Sequence, residues 1–101
     1  MHTPNSPTIA QLKALEATLR ADGVCALYLF GSYARGEQTE NSDIDLLFDI
    51  APDVRFSLFD QARIGRQLSE LLQAEVDFIP RRALHPLIKE TVEAEKVAVF
   101  S

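Results

Sequence analysis

The chain has 101 residues, of which 47% are hydrophobic, and a formal net charge of −5. This length and hydrophobic content suffice for one compact domain with its own core. The negative charge argues against a long nucleic acid as ligand, because binding to a phosphate backbone depends on clustered Lys and Arg. No apolar run reaches the roughly 18 residues of a membrane span, and a single cysteine excludes an intramolecular disulfide. We therefore expect a flexible arm over 1–7 and one cytoplasmic domain over 8–101, without a membrane partner.

The first half of the chain predicts a helix, a buried strand and a short second helix. Apolar residues recur at steps of three and four over 8–21, which is typical of a helix that Gly23 could end. The continuous apolar run over 24–30 has the length of a strand, and Cys25 within it is expected to be a small buried hydrophobe. A short helix is expected from Ser32 to about Glu37.

The middle of the chain predicts a polar surface loop over 38–42, a strand over 43–50 and a long helix. Apolar and acidic residues alternate in this strand, so that two carboxylates, those of Asp43 and Asp45, lie on one face. Ser57 and Asp60 have the spacing of a capping box, which marks the start of the helix.

The last third predicts a strand over 75–79, a helix and an edge strand over 96–100. Pro80 closes the first of these strands, in which Asp77 lies on the face opposite to Val76 and Phe78. Pro86 suits the first turn of the helix. The alternation of helices and strands predicts an α/β or α+β fold, with a small mixed sheet of about four strands flanked by helices.

The pair Asp43 and Asp45 could bind a cation. The two residues are separated by two strand steps, about 6.5 Å, so both carboxylates can reach one point. Like charges this close raise one pKa unless a cation lies between them, and Mg²⁺ takes oxygen ligands while leaving positions for substrate phosphates. In the alternative interpretation, Asp43 caps the loop and Asp45 lies on a solvated face.

Gly31 and Ser32 could bind an anion. A strand that runs into a glycine turn and a helix start presents backbone N–H groups to a negative charge, and the Ser32 hydroxyl adds a donor. The alternative is an ordinary turn between a strand and a helix, with Ser32 as its N-cap.

The two motifs together resemble a known signature. The letters GS, ten residues and then DID match the DNA polymerase β-like nucleotidyltransferase superfamily. The segments GSYARGE, SDIDLLFD and VDFIP resemble the minimal nucleotidyltransferases, the MNT proteins found beside HEPN-domain partners in toxin–antitoxin pairs. In this family a third carboxylate lies on a neighbouring strand, and Asp77 matches its position.

The resemblance implies transfer of AMP from ATP with release of pyrophosphate, assisted by two Mg²⁺ ions. Asp43, Asp45 and Asp77 would hold the metal ions, and Asp77 could also accept the proton of the attacking hydroxyl. Gly31 and Ser32 would bind the terminal phosphates.

Five further charged residues or histidines could act at the site or be structural. Arg35 could contact the triphosphate, or it could pair with a nearby carboxylate, the candidates being Glu37, Glu40 and Asp49. Arg81, Arg82 and His85 form a basic patch that could contact a partner or nucleotide, although we expect a solvated turn. Asp49 lies about 13 Å along the strand from Asp45, too far to share its ions, and is expected to be structural.

The acceptor of the nucleotide is expected to be another protein, because no residues are left for an acceptor domain. The resemblance indicates a Tyr of a HEPN RNase, which this chain would silence as an antitoxin. In a second hypothesis the chain neutralises that partner by binding alone. A third, nucleotidylation of a small molecule, fits the chemistry but not the size.

Overall fold

The computed structural model describes residues 6–37, 39 and 43–101, and at 6–8 and 33 it describes the backbone alone. The elements within these residues follow one another as α1 Ser6–Lys13, α2 Glu16–Ala21, β1 Val24–Phe30, α3 Ser32–Arg35, β2 Ile44–Ile50, α4 Leu58–Leu72, β3 Val76–Pro80, a 3₁₀ turn Arg81–Ala83, α5 Pro86–Glu95 and β4 Val97–Phe100. None of the helices in this part of the chain is both long and apolar enough to cross a bilayer.

The strands form one mixed sheet in the order β3-β2-β1-β4. β1 is antiparallel to both β2 and β4, whereas β2 and β3 are parallel, as expected when α4 provides the crossover between them. The predicted fold class of helices around a four-stranded mixed sheet is therefore confirmed, and β4 is an edge strand as predicted.

The prediction of one continuous N-terminal helix over 8–21 is wrong, because this segment forms two helices, α1 and α2. At the junction, the Leu15 N–H donates to the Leu12 carbonyl at 3.0 Å, a tighter bond than the i to i+4 bond of an α-helix. The break lets α1 contact β4 while α2 contacts β1. α1 begins at Ser6, inside the segment expected as an arm, and residues 1–5 lie outside the described residues.

The main core lies between one face of the sheet and the helices α1, α2 and α4. Phe48 of β2 stacks on Phe78 of β3 with ring centroids 4.0 Å apart, and Phe56 packs against Phe48 at 5.4 Å. The predicted capping box is confirmed, since Ser57 Oγ accepts from the Asp60 N–H at 3.2 Å and Asp60 accepts from the Ser57 N–H at 2.9 Å. The buried cluster comprises Leu12, Leu19, Val24, Leu27, Leu29, Ile44, Leu46, Phe48, Ile64, Leu68, Phe78, Val99 and Phe100.

The opposite face of the sheet carries the acidic residues of β2 and is partly covered by α5. Leu47 of β2 pairs with Tyr28 of β1 and is fully buried, and Val92 of α5 is also buried. Cys25 lies in β1, as expected, but it is only partly buried and not a buried core residue. The reason is the irregularity between Val24 and Ala26 in the pairing of β1 with β2, which displaces Cys25 from the regular alternation.

Candidate active site

Asp45 and Asp77 lie directly opposite each other where β2 and β3 run parallel. Asp77 acts on Asp45 through hydrogen bonding and through its negative charge, and both favour the protonated form of Asp45. Asp43 precedes β2 by one residue, and its charge also acts on Asp45. The structure therefore brings together the three carboxylates that the sequence singled out, with Asp45 half-buried and the other two exposed.

This crowding raises the pKa of Asp45 from 3.8 to about 6. The largest cause is burial, followed by the hydrogen bond and the charge of Asp77, and then by the charge of Asp43. The positive charge of Arg35 acts in the opposite direction and lowers this pKa. The site thus has more negative charge than its surroundings compensate.

The chemistry of these side chains fits a hard divalent cation, since the donors are carboxylate oxygens with uncompensated charge. The geometry is not that of a finished metal site. No group of three His, Cys, Asp or Glu among residues 6–37, 39 and 43–101 is arranged to hold a metal ion. Asp45 and Asp77 are adjacent across the two strands, whereas Asp43 is exposed and precedes β2.

Gly31 is fitted to Asp45 in a way that the sequence did not reveal. It has a φ of +74°, and a Cβ at this position would overlap a carboxylate oxygen of Asp45 and lie 3.2 Å from its Cγ. The preceding residue, Phe30, pairs with Asp45 across β1 and β2. Glycine is therefore required here both for the backbone angle and for the close approach of the turn to the carboxylate.

Ser32 begins α3, which has four residues and ends at Arg35 rather than near Glu37. The turn is closed by the Arg35 N–H, which donates to the Gly31 carbonyl at 3.1 Å, and by the Glu37 N–H, which donates to the Ser32 carbonyl at 2.9 Å. Ser32 is half-buried next to Gly31. The expected phosphate contacts of Gly31 and Ser32 stay predictions, and the turn places both residues beside the carboxylates.

Arg35 pairs with carboxylates on two sides. Its Nε lies 2.8 Å from Glu37, the partner that the sequence suggested, and its Nη1 lies 3.5 Å from Glu95 at the end of α5. These contacts raise the pKa of the guanidinium, chiefly through the hydrogen bond to Glu37. Glu40 lies outside the described residues, and the triphosphate contact stays a prediction.

The expected solvated turn is present at Arg81–Ala83, with Arg82 and Ala83 exposed. Arg81 itself is held by an ion-pair network on the α5 side of the sheet. Arg81 lies 2.9 Å from Asp49 and 3.6 Å from Glu93, and its guanidinium lies over the ring of Tyr28. Lys96 pairs with Glu93 at 2.7 Å and also lies over Tyr28. Asp49 therefore has a structural contact, in agreement with its expected role.

Arg82 and His85 have different structural surroundings. His85 is the N-cap of α5, where its Nδ1 accepts from the Leu87 N–H at 3.1 Å, and Pro86 occupies the first turn as predicted. Arg82 is exposed at a surface cavity of about 380 Å³ that contains none of the three site carboxylates. The cavity is lined by Asp49, Arg81, Arg82, Lys89 and Glu93.

The metal-free protein should lose stability as the pH rises, through Asp45. The folded-state pKa of about 6 exceeds the ordinary 3.8, so the contribution of protonated Asp45 is fully present below about pH 4 and is lost as the pH rises through 6. Allowing for solvent screening of a partly exposed group, we expect a loss of about 1–1.5 kcal/mol. Urea unfolding in EDTA between pH 4.5 and 7.5 would measure it.

The control for this prediction is the same titration of Asp45→Asn. Asp60 and Glu93 have lowered pKa values, Asp60 through hydrogen bonds from Ser57 and Glu93 through Lys96, so they contribute stability that is lost on acidification. Their effect is common to both proteins and cancels in the difference. If the difference in the free energy of unfolding between the two proteins does not change with pH, the predicted loss of stability does not come from Asp45.

Comparisons with known proteins agree with this arrangement. The sequence profile described as "Nucleotidyltransferase domain" matches residues 12–99. MJ0435 of Methanocaldococcus jannaschii, provisionally named a protein adenylyltransferase, is 43% identical over 78 residues, which make up 77% of this chain and 82% of that protein.

Two solved structures share the fold. A provisionally named minimal nucleotidyltransferase has a TM-score of 0.78 and 33% sequence identity, with 95% of this chain and 96% of that chain covered. A toxin–antitoxin structure with AMP-PNP has a TM-score of 0.73 and 24% identity, with 90% and 73% covered. At that identity, the second likeness shows the fold alone.

Proposed function

Since the chain belongs to the nucleotidyltransferase domain family, we propose that it transfers AMP from ATP to a hydroxyl group of a partner protein and acts as an antitoxin. The observation that carries this proposal is the pairing of Asp45 with Asp77 beside the turn at Gly31. The provisional name of the relative MJ0435 supports a protein as the acceptor. A toxin as that protein is part of the proposal, and the toxin–antitoxin structure of the same fold is one assembly of this kind.

The site has two parts with different tasks in this reaction. The turn at Gly31 and Ser32 would bind the terminal phosphates, with the Ser32 hydroxyl and backbone N–H groups as donors to the charge that develops on the leaving pyrophosphate. Asp43, Asp45 and Asp77 would hold Mg²⁺. When bound, the metal would neutralise the phosphates and lower the pKa of the attacking hydroxyl.

In the chemical step, the acceptor oxygen forms a bond to the α-phosphorus of ATP while the bond from that phosphorus to the bridging oxygen breaks. The AMP group is left on the acceptor, and pyrophosphate departs. Asp77 is exposed on an edge strand, so it can be reached by a hydroxyl from outside and can accept its proton. Asp45 is half-buried, so in this proposal it binds Mg²⁺ beside the nucleotide and does not contact the acceptor.

We propose a Tyr of a HEPN RNase as the acceptor, because the motifs of this chain resemble the minimal nucleotidyltransferases that accompany such partners. The reaction would take place in the cytoplasm, the compartment that the composition favours. An acceptor on another protein also agrees with the exposure of Asp77 at the sheet edge.

The test is an incubation of the chain with Mg²⁺, a HEPN RNase encoded by a neighbouring gene, and ATP labelled at the α-phosphate. The RNase should gain the label and one or more AMP masses and should lose its activity. ATP labelled at the γ-phosphate should transfer nothing. A second sample should contain Asp43→Asn, which retains the shape of the side chain without its charge.

Two outcomes would contradict the proposal. One is equal transfer of the label by Asp43→Asn and by the unmodified chain. The other is full neutralisation of the RNase by both proteins with no label on it, which would indicate that the chain acts by binding alone.

A further inference from the structure

Asp77 lies on a strand that has a neighbour on only one side. β3 is at the edge of the sheet, where it pairs with β2, and its five residues end at Pro80. Short edge strands readily fray, yet a group that accepts a proton must stay within hydrogen-bond reach of its donor. Something besides β2 must therefore hold the strand on either side of Asp77.

The helix α4 provides these contacts along one line of its surface. Gln61 Nε2 donates to the Phe78 carbonyl at 3.0 Å, and Ser69 Oγ accepts from the Val76 N–H at 3.2 Å. Gly65 lies between them in the sequence, and a Cβ there would be 3.6 Å from the Cβ of Phe78. Positions 61, 65 and 69 are spaced by four residues and so share one face of the helix.

The two hydrogen bonds join the residues immediately before and after Asp77. In a parallel ladder, alternate residues direct their backbone groups to the same neighbouring strand. The Ile44 N–H donates to the Glu75 carbonyl at 2.8 Å, which places the groups of residues 75 and 77 toward β2. Val76 and Phe78 therefore direct theirs away from β2, where Ser69 and Gln61 bind them.

Ser69 also fixes the loop that leads into β3. Its backbone carbonyl accepts from the Gln73 N–H and from the Ala74 N–H, the latter at 3.2 Å. Gln73 has a φ of +53°, the left-handed conformation that ends α4. One residue thus sets both the end of the helix and the start of the strand that carries Asp77.

We propose that Gln61 and Ser69 are positioning residues, which hold Asp77 in place for AMP transfer by fixing both sides of its strand. This inference rests on the proposed function. Neither residue would touch the nucleotide, because both act through the backbone of β3. Their loss should therefore reduce kcat by a larger factor than it raises the KM for ATP, since the phosphate turn is connected to β1 and not to β3.

The main test compares Ser69→Ala with Ser69→Thr and Ser57→Ala. Ser69→Ala should lower kcat about tenfold, because a small displacement of a reacting group costs at least that much. Ser69→Thr retains the hydroxyl and should retain the rate. Ser57→Ala removes a hydrogen bond at the other end of the same helix and should leave kcat unchanged. Gln61→Leu, which keeps the bulk of the side chain, should behave like Ser69→Ala.

Two further measurements separate positioning from a general loss of structure. Hydrogen exchange of the peptide containing 76–80 should accelerate in Ser69→Ala and Gln61→Leu but not in Ser57→Ala, whether or not the protein is active. In a background of Asp77→Asn, Ser69→Ala should have no further effect on kcat, because its effect acts through Asp77.

The outcomes distinguish this inference from the proposed function. If the unmodified chain transfers no AMP, the proposed function fails. Independently of activity, unchanged hydrogen exchange of 76–80 in Ser69→Ala and Gln61→Leu would show that these side chains do not hold the strand of Asp77. If the unmodified chain is active, a normal kcat in Ser69→Ala, or an undiminished tenfold loss in the Asp77→Asn background, would overturn the inference.

Discussion

Replacing Asp45 with asparagine is expected to lower kcat for AMP transfer by at least about a thousandfold, while the metal-free protein becomes more stable above pH 7. The carboxylate would hold the metal, so its loss removes both charge and ligand. In the absence of a cation, the same carboxylate is crowded by Asp77 and Asp43 and is partly buried. A neutral amide relieves this crowding and can still hydrogen-bond to Asp77.

The matched control is Asp49→Asn. Asp49 lies four residues after Asp45 in β2, on the same face of the strand. Asp49 pairs with Arg81 at 2.9 Å, so its replacement should reduce the free energy of unfolding by about 0.5–1 kcal/mol and leave kcat within about twofold. The two variants make the same chemical change on one strand with opposite effects on stability. Transfer assays and urea unfolding at pH 8 in EDTA would measure both.

Two results would contradict this prediction. If Asp45→Asn retains more than a tenth of the rate, Asp45 is not a ligand on which the reaction depends. If Asp45→Asn is less stable than the unmodified protein in EDTA at pH 8, the carboxylate is not under electrostatic strain, and its raised pKa has been assigned to the wrong cause.

Replacing Gly31 with alanine is expected to reduce the free energy of unfolding by about 2–4 kcal/mol and to abolish transfer. The left-handed backbone angle disfavours any side chain, and the added Cβ would overlap the carboxylate of Asp45. The protein can relieve the overlap only by moving the turn or the carboxylate. Either movement separates the predicted phosphate site from the predicted metal site.

The control for this variant is Gly65→Ala. Gly65 lies within α4, and its added Cβ would make an ordinary contact with Phe78 at 3.6 Å, so stability should be equal or up to about 1 kcal/mol higher. Thermal unfolding and the transfer assay would compare the two proteins. A Gly31→Ala protein that unfolds like Gly65→Ala and remains active would show that the close approach to Asp45 is not required.

The periodicity of the sequence predicted most elements, since local signals marked them. Three signals act within a few residues and have the predicted structural role. They are the capping box at Ser57, the turn at Gly31 and the first helical turn at Pro86. The break between α1 and α2 has no glycine or proline to signal it. It arises because the two helices pack against different strands, which is a property of the assembled sheet.

The candidate site was predictable in part for the same reason. The spacing of Asp43 and Asp45 was sufficient to predict that they lie close together, although β2 begins at Ile44 and Asp43 precedes it, so the strand predicted from residue 43 begins one residue late. The resemblance indicated Asp77. The pairing of Arg35 with Glu95 joins residues sixty positions apart, and the line of α4 that holds β3 depends on how the helix lies on the strand. Contacts of this kind depend on tertiary packing and leave no local pattern.

The stacking of Phe48 on Phe78 links the hydrophobic core to the proposed catalytic residue Asp77, since Phe78 follows Asp77 in the chain. Because β3 has only five residues, a core residue and a proposed catalytic residue are adjacent in it. Protein interiors are close-packed, so a substitution that disturbs the stacking would also move the backbone that carries Asp77. A variant selected for a looser or tighter core should therefore alter the rate of the proposed transfer as well.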